Sequence, residues 1–257
     1  MVMRQDQMFP DGAAVVIGGS GGIGRAICES FARAGTDVAF TYRSNCAAAR
    51  EISAVVESAG RRSLALKLDL TDRPGCRQVI DKIAEDFGRI HTLVLAAGAD
   101  ISMCYAADVE PEEWDHTIAG DLTGFFNILK PTIPHLRRGG GSVLAMTSAG
   151  LVRHPQKDTL SVVPKAGIEA LIRGIAREEG RHGIRANAVA LGVIDTGLFK
   201  RLSDRVTPQF IEAMKRNTAL RRFGTAQEAA DAALFLASSK AAFITGQSLR
   251  LDGGYSV

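Results

Sequence analysis

A chain of 257 residues, 46% hydrophobic and 23% charged, has the composition of a folded protein of one domain or at most two, and wholesale disorder is excluded. The 31 Lys and Arg against 28 Asp and Glu leave a formal charge of +3, too little for the basic field of a nucleic-acid-binding protein. The opening MVMRQDQMFPDG has no apolar stretch of the secretory kind, and no apolar run approaches the ~20 residues of a membrane span, so a soluble chain without a membrane partner is expected.

Taken in order, the pattern alternates strand and helix. The apolar run AAVVI at residues 13–17 has strand length and runs straight into glycines, after which Ile23, Ala26, Ile27, Phe31 and Ala34 keep helical spacing up to Gly35. Strand follows at 37–41, helix at 47–58, strand at 63–68, and a helix with Pro74 in its first turn runs to about 87. Then come strand 92–97, helix 111–134 with a glycine break near Gly120, strand 142–147, helix 162–182 and strand 185–190. A helix opened by Thr225 and a last strand at 247–251 close the chain. Strands with no polar face, separated by helices, predict a single-domain α/β fold: a Rossmann-type doubly wound parallel sheet with helices on both faces. The pairs Arg61-Arg62, Arg137-Arg138 and Arg221-Arg222 read as solvated helix ends or turns. The polar stretch 195–217 lies beyond a strand's carboxyl end, where a substrate lid is expected.

The first strand-to-helix turn reads Gly18-Gly19-Ser20-Gly21-Gly22-Ile23-Gly24. Glycines between a strand and a helix let the chain turn tightly, bring backbone close to a pyrophosphate and aim helix N–H groups at it. The four cysteines, Cys28, Cys46, Cys76 and Cys104, form no CxxC pair, and none of the five histidines belongs to HExxH. No metal site is expected, and free thiols in a reducing cytoplasm are.

With its G-x-x-x-G-x-G spacing the sequence resembles the short-chain dehydrogenase/reductase family from about residue 13 to 252. Further landmarks stand in family order: Asp69-Leu70, Leu95-Ala96-Ala97-Gly98, Asp121-Leu122-Thr123-Gly124, Thr147-Ser148, Lys165, Leu191-Gly192-Val193-Ile194-Asp195-Thr196 and Leu251-Asp252-Gly253-Gly254. The resemblance implies dinucleotide binding by Gly18, Gly19, Ser20, Gly22, Ile23, Gly24, Ala96 and Gly98. It also implies Asp69 and Leu70 beside the adenine, Ile194 and Thr196 at the nicotinamide end, Lys165 on the ribose, and a homotetramer. The second strand runs into Thr41-Tyr42-Arg43-Ser44 without the carboxylate that binds a ribose 2′-hydroxyl in NAD sites. A guanidinium suits a 2′-phosphate, so Arg43 points to NADP(H) over NAD(H).

At the catalytic positions the resemblance is partial. The family pattern of Asn, Ser, Tyr and Lys becomes Asp121, Ser148, Ser161 and Lys165. A phenol, with a pKa of about 10, can be tuned toward working pH by a neighbouring ammonium, whereas an aliphatic hydroxyl is a far weaker acid and a ring shorter. A carboxylate at 121 stabilises the ammonium of Lys165 and blunts its effect on neighbours. The chain also resembles the 2,4-dienoyl-CoA reductase branch, which carries Ser-x-x-x-Lys and a tyrosine from elsewhere. That tyrosine falls near Gly150 here and is missing, which leaves Tyr105 and His154 as substitute donors. Two functions follow as expectations. One is an NADP(H)-dependent oxidoreductase acting on a carbonyl or conjugated enoyl group of a 3-oxoacyl- or dienoyl-thioester-like substrate. The other is a catalytically impaired, cofactor-binding partner or regulatory subunit.

Overall fold

The apolar runs assemble as parallel strands in a computed structural model that describes residues 8–197, 199–200 and 206–257. The strands are β1 (Ala13–Ile17), β2 (Asp37–Tyr42), β3 (Ser63–Lys67), β4 (Ile90–Leu95), β5 (Gly141–Ser148), β6 (Ile184–Leu191) and β7 (Ser248–Leu251). They form one seven-stranded sheet in the order 3-2-1-4-5-6-7, parallel at every pairing. The helices are α1 (Gly22–Arg33), α2 (Cys46–Ser58), α3 (Arg73–Phe87), α4 (Pro111–Thr117), α5 (Gly124–Leu136), α6 (Thr159–Glu179), α7 (Pro208–Arg216) and α8 (Ala226–Ala237).

Alternation along each strand divides the core into two layers. Val15 and Ile17 of β1 pack with Ile80 and Ile83 of α3, Phe125 and Ile128 of α5, and Ile168 and Ile172 of α6. Their neighbours Ala14 and Val16 face the other way, onto Ile27 and Phe31 of α1, Ile52 and Val56 of α2, and Ala233 and Leu236 of α8. Both faces of β1 are therefore dry, which explains why it reads as a continuous apolar run. Helix starts are fixed by local chemistry. The Asn45 side chain accepts from Ala48 N, Asp72 accepts from Gly75 N with a proline in the first turn, and Thr225 and Glu228 form a reciprocal capping box.

Beyond shifts of one to three residues at several element ends, three departures from the sequence reading have a physical reason. The expected break at Gly120 is a widened turn instead: the helix continues from α4 into α5 through a π-helical segment, Ile118–Thr123. Strand β4 begins at Ile90, two residues before the predicted 92. His91 hid its start, being buried, hydrogen-bonded to Thr36 Oγ1 at 2.8 Å and stacked on Phe9. The stretch 195–217 holds α7, a short helix with Pro208 in its first turn and Thr207 capping Phe210 N; residues 198 and 201–205 of the expected lid lie outside the described residues. The arginine pairs at helix ends and turns are partly consumed by carboxylates, Arg61 by Asp37, Arg137 by Glu179 and Arg222 by Glu228. No helix among the described residues is long and apolar enough to cross a membrane.

The strand order reverses at β1, whose chain leads outward to β2 and β3 and then returns across it to β4. The carboxyl ends of β1 and β4 therefore diverge into loops on opposite layers, and a crevice opens between them.

Candidate functional site

Backbone geometry explains the glycine turn at the end of β1. Gly18 has φ +81°, a conformation that strains any residue with a Cβ, and a Cβ there would lie 2.8 Å from Cα of Ala97 in the loop after β4. A Cβ on Gly19 would press on the Phe40 side chain at 2.7 Å, and one on Gly24 would drive into the Gly18 carbonyl. The turn is fastened from β2, where the buried Thr41 hydroxyl accepts from Gly18 N at 3.2 Å. Ser20, Gly22 and Ile23 lead from it into α1, whose N-cap residue, Gly21, offers no side-chain acceptor to the first amides. With no acid in that first turn, the N–H groups and the positive end of the helix dipole suit a phosphate. Gly22 lies directly against the Thr196 hydroxyl, so the segment after β6 reaches the start of α1; Ile194, buried, anchors it through a bridge to Gly224.

The neighbouring strand ends supply the rest of the crevice. Arg43 is exposed just past β2, with no acid between Tyr42 and α2, and its charge helps hold the Asp69 carboxyl below its ordinary value. Hydrogen bonds from Thr71 N and Oγ1 are the larger causes there, and they fix Asp69 in a tight turn after β3. Arg50 of α2 bears electrostatically on Tyr42, so a second guanidinium serves this corner, one that sequence reasoning missed because it lies a helical turn away from the strand end. Leu70 packs against Gly124 of α5 and its carbonyl accepts from Asn127 Nδ2. Ala96 N donates to Ile17 O, which ties the loop carrying Gly98 to β1. These features fit a dinucleotide: glycine backbone and bare amides for the pyrophosphate, cationic side chains for a further phosphate.

Asp121 and Lys165 meet. The π-helical turn presents Asp121, 8% exposed, and its Oδ2 accepts from Lys165 Nζ while Oδ1 accepts from Ala99 N at 3.0 Å. One carboxylate thus joins the α4–α5 connection, the loop after β4 and α6. Ser148, last residue of β5, accepts from Gly150 N at 3.0 Å, which leaves its own proton to donate. Ser161 lies one turn before Lys165 on α6 and is partly buried. Pro164, buried inside that helix, has no N–H to give the Leu160 carbonyl.

The two suggested proton donors are placed less favourably. His154 is exposed, and Tyr105 is 52% exposed with Lys157 Nζ 4.9 Å from its ring centroid. Asp158, a residue the sequence reading passed over, is the N-cap of α6, three residues before Ser161 and seven before Lys165, and its side chain makes no capping hydrogen bond. Burial pushes its carboxyl up to about 6, against the pull of His154 and Lys165. Tyr255 from the chain's tail lies in electrostatic contact with it and carries the Arg153 guanidinium 4.9 Å over its ring. Among the described residues no group of three His, Cys, Asp or Glu could hold a metal ion.

Known proteins place this arrangement in context. A family profile described as enoyl-(acyl carrier protein) reductase matches residues 18–256. The 3-oxoacyl-(acyl-carrier-protein) reductase FabG of Staphylococcus epidermidis is 32% identical over 244 residues, covering 94% of this chain and 98% of the relative. An L-rhamnose 1-dehydrogenase (NAD(P)(+)) from Sphingomonas is 33% identical over 246 residues, 95% of each chain. Among solved structures, a short-chain dehydrogenase/reductase from Serratia marcescens superposes with a TM-score of 0.89 at 29% identity, covering 98% of this chain and all of the other (100%). The carveol dehydrogenase of Mycobacterium avium in complex with NAD gives 0.88 at 25% identity, covering 95% and 97%.

Proposed function

This chain belongs to the short-chain dehydrogenase/reductase family, and from that premise we propose that it is an NADPH-dependent reductase of a carbonyl or conjugated enoyl group. The substrate class on this reading is a 3-oxoacyl or dienoyl thioester, in line with the reductase named among its relatives. The working form is a homotetramer in the cytoplasm, for which light scattering is the test.

The observation that carries the cofactor choice is the end of β2, where Arg43 takes the place of an acid and Arg50 stands on the following helix. Replacing Arg43 with Ala is expected to weaken NADPH binding by about tenfold or more, the scale of a lost charged hydrogen bond, and to leave NADH nearly unchanged. Titration of both cofactors by fluorescence checks this, and equal losses for the two would remove Arg43 from the 2′-phosphate.

The nicotinamide, when bound, supplies hydride to the substrate. Ser148, its hydroxyl oxygen already accepting from Gly150 N, donates to the substrate oxygen and aligns it. Lys165 keeps two ammonium hydrogens beyond its bond to Asp121, and these serve the cofactor ribose. Asp121 fixes that ammonium and the Ala99 loop together, which makes it a positioning residue. Ser161 marks the place of the missing phenol.

One observation favours the second reading, a cofactor-binding partner subunit without turnover: Lys165 is engaged by a carboxylate at the point where the family has a neutral amide. An assay with NADPH against ketone, 3-oxoacyl and 2,4-dienoyl thioester panels separates the two. Brisk reduction of any panel member removes the partner-subunit reading, and NADPH binding without turnover on all of them supports it.

A further inference from the structure

Resting on the reductase reading above, we propose that Glu169 is a positioning residue of this site: acting through Thr147, it fixes Ser148 at the end of β5 against the helix that carries Ser161 and Lys165. Thr147 is the residue joined to Ser148, and Glu169 follows Lys165 by four residues, one turn of α6. The two meet between sheet and helix, where Thr147 Oγ1 donates to Glu169 Oε1 at 2.7 Å, and both are buried. The same carboxylate oxygen accepts from Ser248 Oγ of β7 at 2.8 Å, while exposed Arg173 brings Nη1 only to 3.9 Å from Oε2. The Thr147 hydroxyl has one proton to give, so its 3.4 Å approach to the Val189 carbonyl is secondary.

This polar contact sits in an apolar layer. Val143 and Ala145 precede Thr147 on the helix-facing side of β5, and Ile168 and Ile172 flank Glu169 on α6. An acid facing a hydroxyl costs desolvation there that a pair of well-packed hydrophobic residues avoids. What the polar pair adds is direction, because a hydrogen bond forms at one register of helix against strand and not at its neighbours.

Register matters most at Thr147, since the strand ends one residue later with Ser148. Ser248 pairs with Ala188, which pairs with Ala145, so the β7 contact reaches the sheet two residues behind Thr147 and away from the strand end. Lys165 has its own anchor in Asp121. Loss of the Thr147 bond therefore loosens Ser148 and leaves the ammonium seated: the substrate oxygen loses alignment while the cofactor ribose keeps its partner.

Thr147→Val keeps the shape and removes the donor, whereas Ser248→Ala removes the other donor to the same oxygen and leaves Thr147 bonded. On whichever panel member the wild type reduces, Thr147→Val should lower kcat about tenfold or more, within reach of a misplacement of about 1 Å, with NADPH affinity unchanged. Ser248→Ala should stay within threefold of wild type. Glu169→Gln, whose amide oxygen accepts the same hydroxyls, should do likewise, and Glu169→Met should match Thr147→Val. The seat of Ser148 is read without turnover from the Gly150 amide, whose proton Ser148 Oγ accepts. Hydrogen exchange of that amide, followed by NMR, should quicken in Thr147→Val and not in Ser248→Ala. Equal rate losses in Thr147→Val and Ser248→Ala overturn the proposal and make Glu169 a support of the whole sheet, and a Thr147→Val rate within threefold of wild type overturns it too. If the wild type reduces no panel member, it is the reductase reading that fails. Gly150 exchange then decides the rest: quickened in Thr147→Val it upholds the anchoring of Ser148 by Glu169, and unchanged it overturns that as well.

Discussion

Replacing Lys165 with methionine is expected to cost about 3–5 kcal/mol of folding stability, the scale for removing one partner of a buried ion pair. The Lys165 and Asp121 side chains are 11% and 9% exposed, and the short Asp121 side chain cannot carry its charge to water when Lys165 is lost. With the ammonium gone, the Asp121 carboxylate keeps only the Ala99 amide, and its second oxygen has no described donor. The reverse change, Asp121→Asn, should cost less, because the amide oxygen still accepts from Ala99 N and the long lysine stem can reach outward. The double variant Lys165→Met with Asp121→Leu removes both charges and should recover most of the loss, so urea unfolding of the four proteins closes a cycle. A cost under about 1 kcal/mol for Lys165→Met would place the pair in solvent. Milder Lys165→Ala and Lys165→Met effects on NADPH, on the order of 1–2 kcal/mol by calorimetry, test the ribose role separately.

The largest expected gain in activity comes from restoring the phenol. Ser161→Tyr combined with Asp121→Asn should raise ketone reduction at least about tenfold over the parent, since positioned general acids contribute about 10²–10⁴-fold. Position 161 precedes Lys165 by four residues, so the two side chains lie one above the other on α6 and the ammonium bears directly on a phenol placed there. The second change is needed because Asp121 occupies that ammonium. Steady-state rates on a ketone panel measure it. No gain would mean that the pocket above Ser148 has been reshaped and does not accept a phenol.

Much of the fold was determined by the sequence alone, because the signals are local. The AAVVI run has strand length and is stopped by glycines, and β1 covers those same five residues, Ala13–Ile17. Thr225 with Glu228 three residues on announces a helix through the reciprocal bonds of its cap, and α8 starts there. The glycine turn is equally local: Gly18 adopts φ +81°, a conformation open to a residue without a Cβ. The placement of Ser148 at a strand end and of Ser161 and Lys165 one turn apart on a helix was legible in the same patterns, while the roles given to them come from the family resemblance.

What the sequence could not determine depends on contacts between distant segments. A reader of 118–123 sees a glycine and expects a break, whereas the chain widens into a π turn that carries Asp121 to both Ala99 and Lys165. His91 looks like a loop residue until Thr36 and Phe9 enclose it. Backbone preference and apolar periodicity act over a few residues and survive in the one-dimensional string. Burial of a charge and the contacts that enclose it are properties of the assembled surface, and in this protein they decide how Asp121 ties Lys165 to the Ala99 loop.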